Sequence, residues 1–165
     1  MKVEIGNYPD DCMLQRVENI HIDEWDTWNM AETLALIITP MLKQLKETKH
    51  GSPYVNPDDV PVRLRPTTTP SDDNHWVDDT HHERWEWVMD EMIWAMEQLN
   101  TDWESQYWSG EFDLQWKPAD KEGMSEMYEG PNHTAKCDWD AHKKHDRRIE
   151  NGLRLFGTYF RGLWD

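Results

Sequence analysis

No run of apolar residues in this chain approaches the roughly 18 that a membrane-spanning helix needs. Residues 1–9 carry neither the basic nor the apolar region of a secretory signal. The expectation is a chain that does not enter a membrane and works in a cytoplasm. Cysteine is scarce: Cys12 and Cys137 lie far apart and form no CxxC pair, so free thiols are expected rather than a disulfide framework. Positive charge is also short. Seventeen Lys and Arg face 33 Asp and Glu, and the formal charge of -16 disfavours general nucleic-acid binding and anionic membranes. The same charge favours a basic partner, such as the nucleic-acid-binding face of another protein. No catalytic signature and no internal repeat is found.

Tryptophan, by contrast, is abundant. Eleven in 165 residues require either a core built largely from indole or aromatic surfaces kept for a ligand or partner. The length fits a single domain, 1–165, able to bury roughly 70% of its unfolded surface. Val3 and Ile5, then Ile20 and Ile22, alternate on either side of Gly6-Asn7 and predict two short strands. Asn29 with Glu32 forms a capping-box-like start. Leu34, Ile37, Ile38, Met41 and Leu45 then recur at helical spacing up to Gly51, with a kink or break expected at Pro40. A second helix, Thr80 to Asn100, places Trp85, Val88, Met89, Met92, Ile93, Met96 and Leu99 on one stripe. A third helical pattern closes the chain from Asp138, with Ile149, Leu153, Phe156, Phe160 and Leu163 on one face. Gly152, Gly157 and Gly162 scatter around that wheel and do not suit a close packing groove.

Between the helices the patterning lapses. Five prolines between His50 and Asp79 predict a long loop, either a surface excursion or a partner-gripping arm. Residues 101–133 form an irregular Trp-rich insertion in which Phe112, Leu114 and Trp116 alternate like a strand, with a hairpin turn at Ser109-Gly110. The fold class is therefore α+β: about three main helices, a small N-terminal and central β component, and a long proline-rich loop.

Four constellations bear on chemistry. Trp87 and Trp94 point away from the core stripe of the second helix, so a second layer from the 103–130 segment, a stacking platform or a subunit interface must cover them. Homo-oligomerisation stays open on that ground. Glu83, Glu86 and Asp90 share one side of the same helix with Glu97, a spacing suited to Mg²⁺ in helical phosphohydrolases and equally to a solvated acidic face. His133, Cys137, His142 and His145 carry zinc-ligand chemistry at nonstandard spacing, and the last two fall on an apolar face where packed histidines are expected. No cofactor is expected. Finally, six basic and two acidic residues give positions 143–161 a charge of +4, leaving -20 elsewhere. Arg147, Arg154 and Arg161 repeat every seven residues in line with Lys143, either as counter-charges to the acidic stripe of the preceding helix or as an anion site for a nucleotide-type ligand.

The segments DTWNMAETLALIITPMLKQLKETKHGSP from Asp26, RWEWVMDEMIWAMEQ from Arg84, GPNHT from Gly130 and NGLRLFGTYFRGLWD from Asn151 resemble a family of tailed-bacteriophage proteins of the T4-like or cyanophage type. That family has no assigned activity, so the resemblance carries over no functional residue. It implies a phage accessory protein in the host cytoplasm, acting without catalysis in counter-defence or host takeover. Its partner would be a host protein, met by an acidic DNA-mimic surface, or a nucleotide signal held as by a sponge. A metal-dependent phosphohydrolase or a structural virion protein are the alternatives.

Overall fold

The computed structural model describes residues 2–6, 14–16, 18–67, 77–119 and 123–164. Cys12, Trp76, Asn7 and residues 68–76 of the proline-rich stretch lie outside these. Among the described residues, three helices and three small antiparallel ladders make an α+β fold. Strands β1 (Lys2–Ile5) and β2 (Glu18–His21) pair with Val3 opposite Ile20, and a 3₁₀ turn, Glu24–Thr27, leads into α1 (Met30–Thr48). A long connection reaches α2 (His81–Gln98). There follow β3 (Trp108–Ser109), β4 (Leu114–Pro118), β5 (Ser125–Glu129), β6 (Lys136–Cys137) and α3 (Trp139–Tyr159). β4 pairs with β5, and β3 pairs with the distant β6. The hairpin therefore closes at Gly123, whose φ is +80°, and not at Ser109-Gly110. Gly110, at φ +85°, instead lets the chain pass against the Thr134 carbonyl.

Helix α2 is the scaffold, with α1 and α3 each packed mainly on it. Trp85, Val88, Met89, Met92, Ile93 and Met96 of its expected stripe are buried, and Leu99 packs at the edge. The buried arc is wider than that stripe because Glu91 and Ala95 face α3. There Gly152 lies so close that an added Cβ would stand 2.4 Å from the Ala95 Cβ and 2.5 Å from the Glu91 carbonyl oxygen. One glycine thus suffices for a close helix contact, which the scatter of the three glycines around the wheel concealed.

Helix α1 is rolled relative to its expected stripe. Ala35 and Leu42 are buried and Ile38 and Leu45 pack on the core, whereas Leu34 and Met41 are exposed, Met41 by 64%. This seating brings lysines of α1 onto carboxylates of α2. Lys43 reaches Glu97 at 2.6 Å, Lys46 bonds Asp90 and approaches Glu86 at 3.7 Å, and Lys49 bonds Glu86. The helix runs through Pro40 without the expected break; Pro40 and Leu36, whose carbonyl loses its donor, both lie on the exposed side.

The proline-rich connection is no surface excursion in its first half. Val55, Val60 and Leu64 are buried in the core, and 3₁₀ turns at Pro57–Asp59 and Val62–Leu64 set their directions. Tyr159 of α3 donates to Asp59 at 2.7 Å and accepts from the Asn56 N–H at 3.0 Å, while Arg154 donates to Asp59 at 2.8 Å. Burial, reinforced by the Asp59 bond, pushes the Tyr159 phenol up to about 12. At the start of α2 the Arg84 guanidinium, fully buried, donates to both Asp78 oxygens at 2.8 and 2.6 Å and to the Thr80 hydroxyl at 2.7 Å. The Thr80 hydroxyl in turn donates to the Leu64 carbonyl at 2.8 Å. The Arg84 bonds hold the Asp78 carboxyl at about 2.

Arg84→Ala strands a buried carboxylate and should cost about 3 to 5 kcal/mol in urea unfolding at neutral pH. Because the Asp78 pKa is depressed, the pair's stabilisation is complete above the ordinary carboxylate value of 3.8 and is lost as pH falls towards 2. Asp78→Asn should remove that part of the acid slope. Separately, Gly152→Ala should destabilise by about 1 to 3 kcal/mol through overpacking. Gly157→Ala, which meets nothing within 4 Å, should stabilise by up to about 1 kcal/mol. Equal thermal shifts for the two alanine variants would contradict the close contact.

Candidate aromatic and cationic cleft

The first turns of α3 are set by Asp138, whose carboxylate accepts from the Ala141 N–H at 3.1 Å while its own N–H donates to the Tyr107 carbonyl at 2.9 Å. That second bond, with the β3–β6 pairing of Trp108 and Cys137, lays residues 103–109 over the start of α3. His142 and His145, three apart, are one turn of α3 and so share a face. Trp103 stacks on His145 with ring centroids 4.5 Å apart and planes within 8°, and lies 4.9 Å from His142. From there an unbroken series of ring contacts runs both ways. In one direction it passes from His142 to Trp139 at 5.5 Å, Trp108 at 5.8 Å, Phe112 at 5.1 Å and His133 at 6.0 Å. In the other, His145 lies 5.0 Å from Trp94, over which the Arg148 guanidinium sits at 3.8 Å.

His145 is held at both nitrogens. The Tyr107 hydroxyl donates to Nδ1 at 2.8 Å, and Nε2 donates to the Gln98 amide oxygen at 3.0 Å. This pairing suits the neutral imidazole, and burial, then the Arg148 charge and His142, pushes the His145 pKa down. Arg148 donates through Nε and Nη2 to the Glu91 carboxylate at 2.9 and 2.8 Å, a bidentate pair that fixes its plane over the indole.

Beside these groups opens a cleft of about 340 Å³, lined by Trp94, Tyr107, Ala141, Lys144, His145 and Arg148. Lys144 is exposed at its rim and, like Lys143 and Arg147 next to it, has no ion-pair partner among the described residues. A larger hollow of about 510 Å³ between α1 and the end of α2 has a single charged lining residue, Glu97, already held by Lys43. Aromatic faces and an unneutralised cation, Lys144, meet only in the smaller one of these two.

The candidate residues are dispersed. Trp94 lies in the cleft, whereas Trp87 packs partly against the core elsewhere on α2. Both indoles are half-buried, and the cover over Trp94 is Arg148 and His145 of α3 rather than a layer from the 103–130 segment alone. Arg154 is spent on Asp59, and Arg161 is exposed in the terminal 3₁₀ turn, Phe160–Gly162. The seven-residue stripe therefore does not act as a unit, nor does it meet the α2 acids. Glu86 and Asp90 hold lysines of α1 where a divalent cation would have to sit, and Glu83 is exposed. His133 accepts from the Asp113 N–H at 3.3 Å, and Cys137 sits in β6, its thiol pushed up by burial and by Asp138. Among the described residues no three His, Cys, Asp or Glu side chains gather as a metal site. Arg148 was missed, although Lys144 and Arg148 are four apart and flank His145, which on a helix places both beside the same ring.

Comparison of the chain with protein-family models, curated proteins and solved structures returns no match. Among the described residues no helix is long and apolar enough to cross a membrane.

Since the His145 pKa is lowered on folding, its contribution to stability is complete above the ordinary value of 6.5 and declines as pH falls through its folded value. Melting temperature should therefore drop as pH falls below 6.5, and His145→Gln should flatten that part of the profile. An unaltered slope in the variant would place the proton uptake on another group.

Proposed function

We propose that the protein is a non-enzymatic binding protein that takes an anionic ligand carrying a planar ring, of nucleotide type, into the cleft between α2 and α3. The observation that carries this reading is the meeting of Trp94, fixed under Arg148, with Lys144, whose charge no described residue neutralises. An indole face and a phenol suit a base, and a free ammonium beside a guanidinium suits a phosphate. The cleft volume falls at the lower end of the range of small-molecule pockets. The overall charge of -16 opposes a long nucleic acid but acts weakly on a mono- or dinucleotide held by a local cation patch.

The setting is a phage accessory protein of the host cytoplasm, sequestering a nucleotide signal in counter-defence or host takeover; it rests on the sequence resemblance alone. An acidic decoy draws less support, because Glu86, Asp90 and Glu97 of the α2 stripe are matched by lysines. The same pairing weighs against a metal-dependent hydrolase at those carboxylates.

Calorimetry with mono-, di- and cyclic nucleotides tests the reading. A ligand at one hundred times its dissociation constant should raise unfolding stability by about 2.7 kcal/mol. Lys144→Ala should weaken binding about tenfold with the apo fold intact, a loss of the order of one charge-assisted hydrogen bond. Arg154→Ala should leave binding unchanged while lowering stability, since its partner is Asp59. Flat titrations of the wild type across the panel would remove the nucleotide reading.

A further inference from the structure

The segment from Glu24 to Met41 leaves an apolar surface that nothing described in the chain covers. Trp25 and Trp28 of the 3₁₀ turn are 71% and 78% exposed, and they brace one another with ring centroids 5.6 Å apart. Along α1, Met30, Leu34, Ile37 and Met41 follow at spacings of four, three and four, all exposed except Ile37, which is half-buried. That alternation is the seam of a helix pair, and it lies beside, not on, the face that α2 takes through Ala35, Ile38, Leu42 and Leu45.

We propose that this seam is the interface of a homodimer, covered by the same seam of a second copy running antiparallel. Three observations favour that occupant. The seam is self-complementary: in an antiparallel pair Met30 meets Met41, and Leu34 meets Ile37, so each copy repeats the other's contacts under a two-fold axis. Its six side chains leave on the order of 700 Å² per copy exposed, close to the roughly 800 Å² per partner of a stable interface. Charge selects the direction. A parallel pair would set Glu24 of one copy against Glu24 of the other, whereas the antiparallel pair keeps the two apart. The seam itself carries no charge between Met30 and Met41, so the chain's net repulsion acts only at a distance.

Sedimentation equilibrium of the full chain over a micromolar concentration series reads the outcome. The expected mass is twice the 19.8 kDa of one chain. Leu34→Glu with Met41→Glu, at positions already exposed in the monomer, should raise the dimer dissociation constant by more than about a hundredfold with the far-ultraviolet dichroism retained. Trp25→Ser with Trp28→Ser, outside the helix, gives an independent route to the same loss. Trp116→Ala, on the exposed β4–β5 hairpin, should leave the dimer intact. In a chain with Cys12→Ser and Cys137→Ser, Met30→Cys together with Met41→Cys should form an intersubunit disulfide under mild oxidation, and Met30→Cys alone should not. A wild type that stays at 19.8 kDa throughout, or a dimer that survives both seam variants, overturns the interface. Efficient linkage through Met30→Cys alone overturns the antiparallel direction.

Discussion

Arg84 has no exposed surface, and a buried guanidinium is tolerable only where its charge is matched and most of its donors are used; among the described residues only its Nε lacks a partner. The start of α2 can therefore sit only where the Asp78 carboxylate and the Thr80 hydroxyl are both in reach, and Thr80 must also find the Leu64 carbonyl. That triple demand draws the proline-rich connection into the interior and delivers Leu64, Val60 and Val55 to the core. With the connection seated, Asp59 meets Arg154 and Tyr159, and the second half of α3 is tied down. Helix α3, so placed, crosses α2 at Gly152 and carries His142, His145 and Arg148 to the aromatic cleft. The cleft thus depends on a charge pair at the far end of α2.

The tryptophans are distributed by size. Of the ten described, only Trp85 is fully buried; Trp87, Trp94 and Trp103 are half-buried and the remaining six are exposed. The interior is filled by methionine, valine and leucine, which fit between helices that approach as closely as Gly152 and Ala95 do. Indoles displaced from that interior collect in the ring series over α3 and on the turn before α1. A monomer seldom leaves so much aromatic surface to water, and this supports binding as the protein's mode of action.

Charge is arranged by the same packing. Lysines of α1 meet the carboxylates of α2, Arg148 meets Glu91 and Arg154 meets Asp59, so acid next to a helix interface is largely answered by base. Among the described residues, the α3 cations without an ion-pair partner are Lys143, Lys144 and Arg147, with Asp140, Asp146 and Glu150 exposed on the same helix. A cation left free in such a field attracts a small anion more readily than a polymer, which fits the ligand class proposed for the cleft.

Helix positions, the α2 stripe and the α+β class were legible in the residues because periodicity is a local property: Val88, Met89, Met92 and Met96 declare their face without reference to a partner. The N-terminal strands were legible for the same reason. The roll of α1 was not, since its apolar residues span two faces and only the α2 carboxylates decide which one turns inward. The burial of Val55 was hidden by five prolines that break local pattern while the Arg84 cluster supplies the order from a distance. Sequence placed Trp94 and His145 on separate helices as candidates, and marked the stretch that holds Arg148 as basic. Their meeting was decided by the Gly152 contact and the Glu91 pair, because which side chains share a cleft depends on the angle and depth at which helices cross, and no residue spacing within one helix encodes that.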